Sequence, residues 1–298
     1  MDITLLGPQR RVAGARAAVA QLVPDGPVAA INAGWREREA DTDELDAVLG
    51  GRMVNLELYR RWQQLSEDDP GYVDAERRLT IQLEELRAAY QLRLRHHKAA
   101  VRAVAQRVAD PSIRAAALAD AVTAVRAVDA WHLDGSAELR AGFYAEVRLE
   151  ERASIGEHRH EIARLVDASA GMVVTGGHVG VLLHLLHVFG LLDMMKPPVI
   201  TWSAGAMALS PRVVLFGDHA PSSHHDAEFY AVGLGLYQHG VPFPHARRRL
   251  RLADQDRREL LTARLAPYPG LLLDEGVRLD LVDGAALPGD AVLLAAAS

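Results

Sequence analysis

The stretch VITWSAGAMALSP, residues 199–211, carries the strand–turn–helix pattern from which the fold can be worked out. A β-branched apolar run enters, a turn of small residues follows, and an Ala/Met/Leu run typical of a helix leaves. Ser203 stands at the corner, where its small neighbours Ala204 and Gly205 allow one backbone to approach another. A serine in this place is either an exposed nucleophile at the end of a strand or an ordinary helix N-cap.

A Gly-Gly pair forms a second turn of interest, in VVTGGHVG at residues 173–180. It follows an apolar strand pattern and precedes a helical one. The backbone N–H of Gly176 or Gly177, together with that of Ala204, is then a candidate oxyanion hole. The alternative is a generic glycine-rich turn between a strand and a helix.

Outward from these turns, short apolar runs alternate with helical patterns, which is typical of βα units and a parallel sheet. We therefore predict an α/β fold, a three-layer sandwich with a mostly parallel central sheet. The strand candidates are ITLLG (3–7), PVAAINAG (27–34), GMVVTGG (171–177), PPVITW (197–202), AVGLGLY (231–237), GLLLDEG (270–276), VRLDLVDG (277–284) and AVLLAAAS (291–298).

Residues 53–130 follow a different pattern, which predicts a helical hairpin inserted into the α/β domain of residues 1–52 and 131–298. One face of a long amphipathic helix carries apolar residues at spacings of three and four. The sequence DPS at 110–112 predicts the turn, with Pro111 at the start of the second helix. The apolar face is formed by Leu79, Leu83, Leu86, Tyr90, Leu94, Val101, Val104 and Val108.

Composition excludes several classes of protein. The 298 residues contain no cysteine, which removes disulfides, thiolate metal sites and cysteine nucleophiles. The net charge of −6, with Arg and Glu interleaved, offers no general attraction for nucleic acid. No run of about 18 apolar residues predicts a membrane span, and the N-terminal segment resembles a buried strand more than a signal peptide. We expect a cytoplasmic protein without nucleic-acid or membrane partners.

A third segment, FPHARRRLRL at residues 243–252, places His245 directly ahead of an arginine run. Further on, Glu275 closes the apolar strand pattern GLLLDE. A base beside Ser203 and an acid that orients this base are what activation of a hydroxyl requires. The arginines, Arg247 and Arg249 among them, form either a solvated basic face or a site for a substrate carboxylate.

These three features together resemble the peptidase S51 family, which includes aspartyl dipeptidase (peptidase E) and cyanophycinase. The turn of that family reads G-[TW]-S-A-G-A, and this chain has TWSAGA. The segments TGG, PHARRRLRL, GLLLDEGVRL and AINAGWRERE (30–39) also follow the family's pattern, in the expected order, over about residues 1–50 and 137–285. The chain departs from it at Thr201, where the family has glycine, at His178, and in the compressed histidine segment.

The resemblance implies a class I glutamine amidotransferase-like fold and a serine hydrolase acting on a small peptide or peptide-like amide. Mapped onto this chain, it implies Ser203 as nucleophile, His245 as base and Glu275 as orienting acid, with no metal or organic cofactor. Asp218 is the second choice of acid, and Asp226 also lies between Ser203 and His245. Two other functions stay open: a non-catalytic domain that recruits a partner through its hairpin, and a serine esterase or acyltransferase.

Further residues are candidates for contact with a substrate or a metal. His178, Trp202 and His225 are candidate pocket residues, the last in the loop APSSHHDAEFY (220–230). His184 and His187, three residues apart on an apolar helix, fit core histidines better than metal ligands. The apolar face of the hairpin fits either a homodimer interface or packing onto the core.

Overall fold

The computed structural model describes residues 2–9, 14–216 and 227–294. Within these ranges, strands and helices are interspersed along the chain, with four consecutive α-helices in its middle, at 58–68, 70–107, 111–147 and 153–167. The strands are Ile3–Leu6 (β1), Val28–Ile31 (β2), Met53–Asn55 (β3), Gly171–Val174 (β4), Val199–Trp202 (β5), Arg212–Phe216 (β6), Ala227–Val232 (β7), Val241–Pro244 (β8), Gly270–Leu273 (β9), Arg278–Leu281 (β10) and Leu293–Leu294 (β11). The helices are Ala15–Leu22 (α1), Asp43–Val48 (α2), Leu58–Asp68 (α3), Pro70–Arg107 (α4), Pro111–Val147 (α5), Ala153–Asp167 (α6), Val179–Val188 (α7), Leu191–Met194 (α8), Ala204–Leu209 (α9), Ala246–Arg249 (α10) and Gln255–Leu265 (α11), with short 3₁₀ helices at Ala33–Arg38 and Leu149–Glu151.

The central sheet has the strand order β10-β1-β5-β4-β2-β3. All its neighbouring strands are parallel except the edge pair β1–β10. The prediction of a mostly parallel central sheet flanked by helices is therefore confirmed. Two smaller sheets accompany it: β6 pairs with β7, and β8 lies parallel to β9, whose other edge pairs with β11.

Helices cover both faces of the central sheet, which gives three layers. Alternate residues of each strand point to opposite faces, and both sets are buried. On one face, helices α3, α6, α7 and α9 pack against Ile3, Leu5, Ile31, Met172, Val174 and Val199. On the other, α1 and α2 pack against Leu6, Val28, Ala30, Val173, Ile200 and Trp202.

The two long helices α4 and α5 form the predicted hairpin, and each begins with a capped proline. Asp69 accepts a hydrogen bond from the backbone N–H of Tyr72, and Asp110 caps α5 in the same way. The bounds differ from the expected 53–130, because β3 pairs with β2 in the central sheet and α5 continues to Val147. The division into a domain and an insertion stays a prediction.

A buried ion pair joins the hairpin to the rest of the protein. Arg264 on α11 donates to both carboxylate oxygens of Asp129 on α5, at 2.8 Å each. The Tyr90 hydroxyl of α4 donates to Asp129 at 2.7 Å and accepts from the backbone N–H of Phe229 in β7. The side chains of Arg264 and Asp129 are only 2% and 5% exposed. Four elements therefore meet at one desolvated charge pair.

Other elements differ from the sequence prediction. Strands β3 and β6 were not expected, and of AVGLGLY only Ala231 and Val232 lie in a strand. Of AVLLAAAS, Leu293 and Leu294 pair with β9, and residues 295–298 lie outside the described residues. Among the residues that the structure describes, no helix combines the length and the apolar character needed to span a bilayer.

The buried pair provides a test of how the hairpin is held. We expect Asp129→Asn to lower the free energy of unfolding by about 3–5 kcal/mol, because it leaves the Arg264 guanidinium buried without its counter-ion. Glu146→Gln is the control on the same helix α5, since it breaks an exposed pair with Arg78 of α4, at 57% and 56% side-chain exposure. Its cost should stay within about 1 kcal/mol. Urea unfolding followed by circular dichroism measures both, and equal costs would contradict the assignment.

Candidate active site

Ser203 occupies a strained turn between β5 and α9. Its backbone has φ 51° and ψ −121°, a region that costs an L-residue about 1–3 kcal/mol. The side chain is half-buried at the carboxyl-terminal edge of the central sheet. A helix N-cap serine has ordinary extended backbone angles and accepts a hydrogen bond from the first turn, whereas Ser203 makes no side-chain capping bond. The geometry fits the nucleophile interpretation better than the N-cap interpretation.

Thr201, which stands where the S51 pattern has glycine, is accommodated at the end of β5. Its hydroxyl is fully buried and donates to the carbonyl oxygen of Val174 in β4 at 2.9 Å. Gly205 allows the same close approach after the corner, because a Cβ atom there would lie 2.4 Å from the Val174 oxygen. The turn therefore tolerates threonine before Ser203 but requires glycine after it.

The Gly-Gly turn after β4 lies directly beside Ser203. Val174 and Thr201 are register partners in parallel strands, so the residues that follow them meet at one sheet edge. A Cβ atom at Gly176 would lie 2.9 Å from the Cβ of Ser203. Gly177 has φ 120° and packs against the backbone of Gly34, where a Cβ atom would lie 2.3 Å from the Gly34 oxygen. Both glycines are required by close backbone contacts.

These turns leave backbone donors around Ser203. Among the described residues, no acceptor is found for the backbone N–H of Gly176 or Gly177. The N–H of Ala204 is at the first position of α9, where a helix offers no acceptor of its own. The next amide, of His178, is already bonded to the Gly34 oxygen at 2.7 Å. Gly176, Gly177 and Ala204 thus offer three backbone N–H groups in the turns beside Ser203, and their role as an oxyanion hole stays a prediction.

His245 follows β8 and faces the same cleft as Ser203. It is half-buried with φ 57°, and its backbone N–H donates to the Leu273 oxygen of β9 at 3.1 Å. The cleft has a volume of about 1240 Å³. Of the predicted site residues it is lined by Gly176, Gly177, His178, Trp202, Ser203, Ala204, His245 and Arg249.

The predicted acid, Glu275, is placed differently. Its backbone crosses beside Gly7, which follows β1 at the level of Ser203, but its side chain is exposed and does not line the cleft. The neighbouring Asp274 lies level with His245, and its carboxylate accepts from the backbone N–H of Arg247 at 3.1 Å. The alternatives Asp218 and Asp226, and also His225, lie outside the described residues.

Arg247 is not brought to the cleft. Its side chain is 87% exposed and pairs loosely with Asp274, Nε to Oδ2 at 3.6 Å. This placement agrees with the solvated-face interpretation of the arginine run for Arg247, whereas Arg249 turns inward to the cleft.

His178 caps helix α7 besides lining the cleft. Its Nδ1 accepts from the backbone N–H of Val181 at 3.1 Å. Burial, and after it the charge of Arg36, lower the pKa of this imidazole. His178 is therefore neutral at pH 7 and holds the first turn of α7 beside the Gly-Gly turn.

His184 and His187 are packed in the core. His184 Nε2 lies 2.5 Å from Oε1 of Glu76, which also accepts from the Tyr72 hydroxyl at 3.0 Å. Burial first, then the charges of Arg140 and His184, lower the pKa of His187 to about 4. Within the described ranges, no three His, Asp or Glu side chains are grouped so as to hold a metal ion.

Several residues that line the cleft were not predicted from the sequence. The loop of residues 40–42 and the first turn of α2, residues 43–45, form one wall, Tyr230 of β7 forms part of another, and Arg87 reaches the cleft from helix α4. The loop follows AINAGWRERE directly, so the resemblance gave a local signal for it. Arg87 had none, because its position depends on how the hairpin packs.

Comparison with known protein families finds no match, and comparison with curated proteins finds none either. Among solved structures, the chain is similar to the crystal structure of a peptidase from an acI-B1 Actinobacterium. The identity is 13%, the match covers 95% of this chain and 84% of that chain, and the TM-score is 0.44. A likeness at this level carries no activity from one protein to the other, so the site rests on its own geometry.

Replacing Ser203 itself tests whether the turn is strained. We expect Ser203→Gly to be more stable than Ser203→Ala by about 1 kcal/mol, because glycine adopts φ 51° without a Cβ clash. Both variants lack the hydroxyl, so the difference reports on the backbone alone. Chemical denaturation measures it. Ala206→Gly, inside α9, is the control and should lose stability by at least about 1 kcal/mol. A Ser203→Gly protein less stable than Ser203→Ala would refute the strain.

Proposed function

We propose that the protein is a serine-dependent hydrolase of amide bonds, of the peptidase S51 type, acting on a small peptide or peptide-like substrate. The observation that carries the proposal is the strained backbone of Ser203. It lies beside backbone N–H groups for which no acceptor is found among the described residues, in a cleft that His245 also lines. Strain in such a corner is retained where it exposes a reacting group. An N-cap serine needs none of this geometry.

The chemistry follows from these groups. His245 accepts the proton of the Ser203 hydroxyl as Oγ attacks the amide carbonyl, and the carbonyl oxygen becomes negative. The N–H groups of Gly177 and Ala204, with Gly176 adjacent, stabilise this oxyanion. His245 then delivers the proton to the leaving amine, which leaves an acyl ester on Ser203. Water, deprotonated by His245, hydrolyses the ester and restores the hydroxyl.

Two neighbouring carboxylates, Glu275 and Asp274, are candidates for the acid that orients His245. The resemblance assigns the role to Glu275, and its backbone runs along the sheet edge that carries Ser203. In this role the carboxylate turns from solvent toward His245. Asp274 competes for it, because Asp274 lies level with His245 on the neighbouring parallel strand. His178, Trp202 and Arg249 are proposed to contact the substrate, since they line the cleft.

A fluorophosphonate probe tests the nucleophile and the base. We expect the wild-type protein to be labelled at Ser203 and Ser203→Ala to be inert. His245→Ala should be labelled at least about a hundredfold more slowly than the wild type. The rate of labelling is followed by intact-protein mass spectrometry.

The matched control for that series is His160→Ala, an exposed histidine on α6 outside the cleft. Its labelling rate should equal that of the wild type. A folded wild-type protein that does not react would rule out the hydrolase proposal and favour the non-catalytic alternative.

The same assay distinguishes the role of Glu275 from that of its neighbour Asp274. We expect Glu275→Gln to slow labelling of Ser203 by at least about tenfold, because the imidazole loses the group that fixes its tautomer. Asp274→Asn removes the same charge one residue earlier and should change the rate less than threefold, roughly the loss of one exposed contact. The reverse order would transfer the role to Asp274.

A further inference from the structure

The helical hairpin supplies one wall of the cleft through Arg87. This residue lies on α4, yet it lines the same cleft as Ser203 and His245. Its side chain is 40% exposed. A helix outside the α/β core therefore contributes a cation to the space where substrate is proposed to bind.

The guanidinium of Arg87 is held in place by the carboxylate of Glu228. Its Nε and Nη2 donate to the two carboxylate oxygens of Glu228, at 2.6 and 3.0 Å. Gln91, one turn further along α4, also donates to both oxygens at 3.2 Å. Glu228 is only 12% exposed and does not line the cleft. The carboxylate thus holds the edge of the guanidinium that faces away from the cleft.

The remaining edge is available to a ligand. Within the described part of the chain, no acceptor contacts Nη1 of Arg87, so the outer edge of the guanidinium, formed by one N–H of Nη1 and the second N–H of Nη2, remains available. Arg38, another cation of the cleft, is less constrained, because its side chain is 79% exposed and is bonded through Nε alone. It donates to Asp41 at 3.0 Å, and Asp41 itself lines the cleft, so that its charge is cancelled at the surface of the site.

Contacts locate Arg87 relative to the reacting centre. Its guanidinium lies over the ring of Tyr230, 5.9 Å from the centroid. The Tyr230 hydroxyl reaches the first turn of α7, where a Cβ atom at Gly180 would lie 2.6 Å from it. Gly176 and Gly177 lie immediately before that turn in the chain. Tyr230 therefore contacts both the guanidinium of Arg87 and the helix that follows the Gly-Gly turn, which places the guanidinium across an aromatic ring from that helix.

We propose that Arg87 binds a carboxylate of the substrate that lies at least one residue away from the scissile carbonyl, so that the hairpin acts as a specificity element. A fixed guanidinium with one free edge pairs well with a carboxylate, and little side-chain entropy is lost on binding. The inference rests on the proposed function for the position of the scissile bond, but it concerns binding and can be tested without turnover.

The experiment uses the full chain with Ser203→Ala, which binds without reacting. Two pools of randomised tri- and tetrapeptides, one with free C-terminal carboxylates and one with C-terminal carboxamides, are equilibrated with the protein and the retained peptides are counted by mass spectrometry. We expect the carboxylate pool to be retained roughly tenfold more, as a charge-assisted hydrogen bond provides. Arg87→Met in the same background should reduce this ratio to about one.

Two further variants guard against misfolding. Arg87→Met with Glu228→Gln removes the buried carboxylate that the single change leaves unpaired and should behave like Arg87→Met. Arg95→Met, an exposed arginine two turns along α4 and outside the cleft, is the matched control and should keep the full preference.

The outcomes separate this inference from the hydrolase proposal. No preference for carboxylates in the Ser203→Ala protein, with or without retention, would overturn the role of Arg87, as would a preference that survives Arg87→Met. A preference that depends on Arg87, in a chain whose wild type resists the fluorophosphonate, would keep the binding role and reject the hydrolase.

Discussion

Close packing of backbone against backbone is the constraint on which the candidate site depends. Parallel pairing of β4 with β5 brings two turns together, and each turn fits only because side chains are missing. Gly176 lies against Ser203, Gly177 against Gly34, and Gly205 against the carbonyl of Val174. A Cβ atom at any of them would fall under 3 Å from a neighbour. The donors around Ser203 are therefore main-chain groups whose positions are set by the sheet, with no rotamer to misplace.

The sequence predicts well what adjacent residues decide. The strand–turn–helix around Ser203, the Gly-Gly turn, and the break at Pro111 all depend on local steric preferences, and all three occur as expected. The alternation of βα units was enough to indicate a mostly parallel sheet. Strands β6 and β7 were harder, because they pair with each other outside the central sheet.

Long-range packing decides what the sequence could not. Which of Asp274 and Glu275 turns toward His245 depends on a single residue of register, since neighbouring side chains of an extended strand point to opposite sides. Arg87 gave no signal, because nothing in its own helix indicates that it meets β7. Glu76 likewise finds His184 only when α4 packs on α7. Each case joins residues far apart in the chain.

The length of the hairpin has a mechanical consequence. Helix α4 is a rod of 38 residues, about 57 Å long, and Arg87 lies about 26 Å along it from Pro70. If α4 tilted by about 5° as a rigid helix about Pro70, Arg87 would move by about 2 Å, as follows from its distance from Pro70 at this rise per residue. Tyr90, one turn further out, is bonded to Asp129 and to the backbone of β7. The buried charge pair is thus joined to α4 one turn beyond Arg87, where its hydrogen bonds oppose such a tilt.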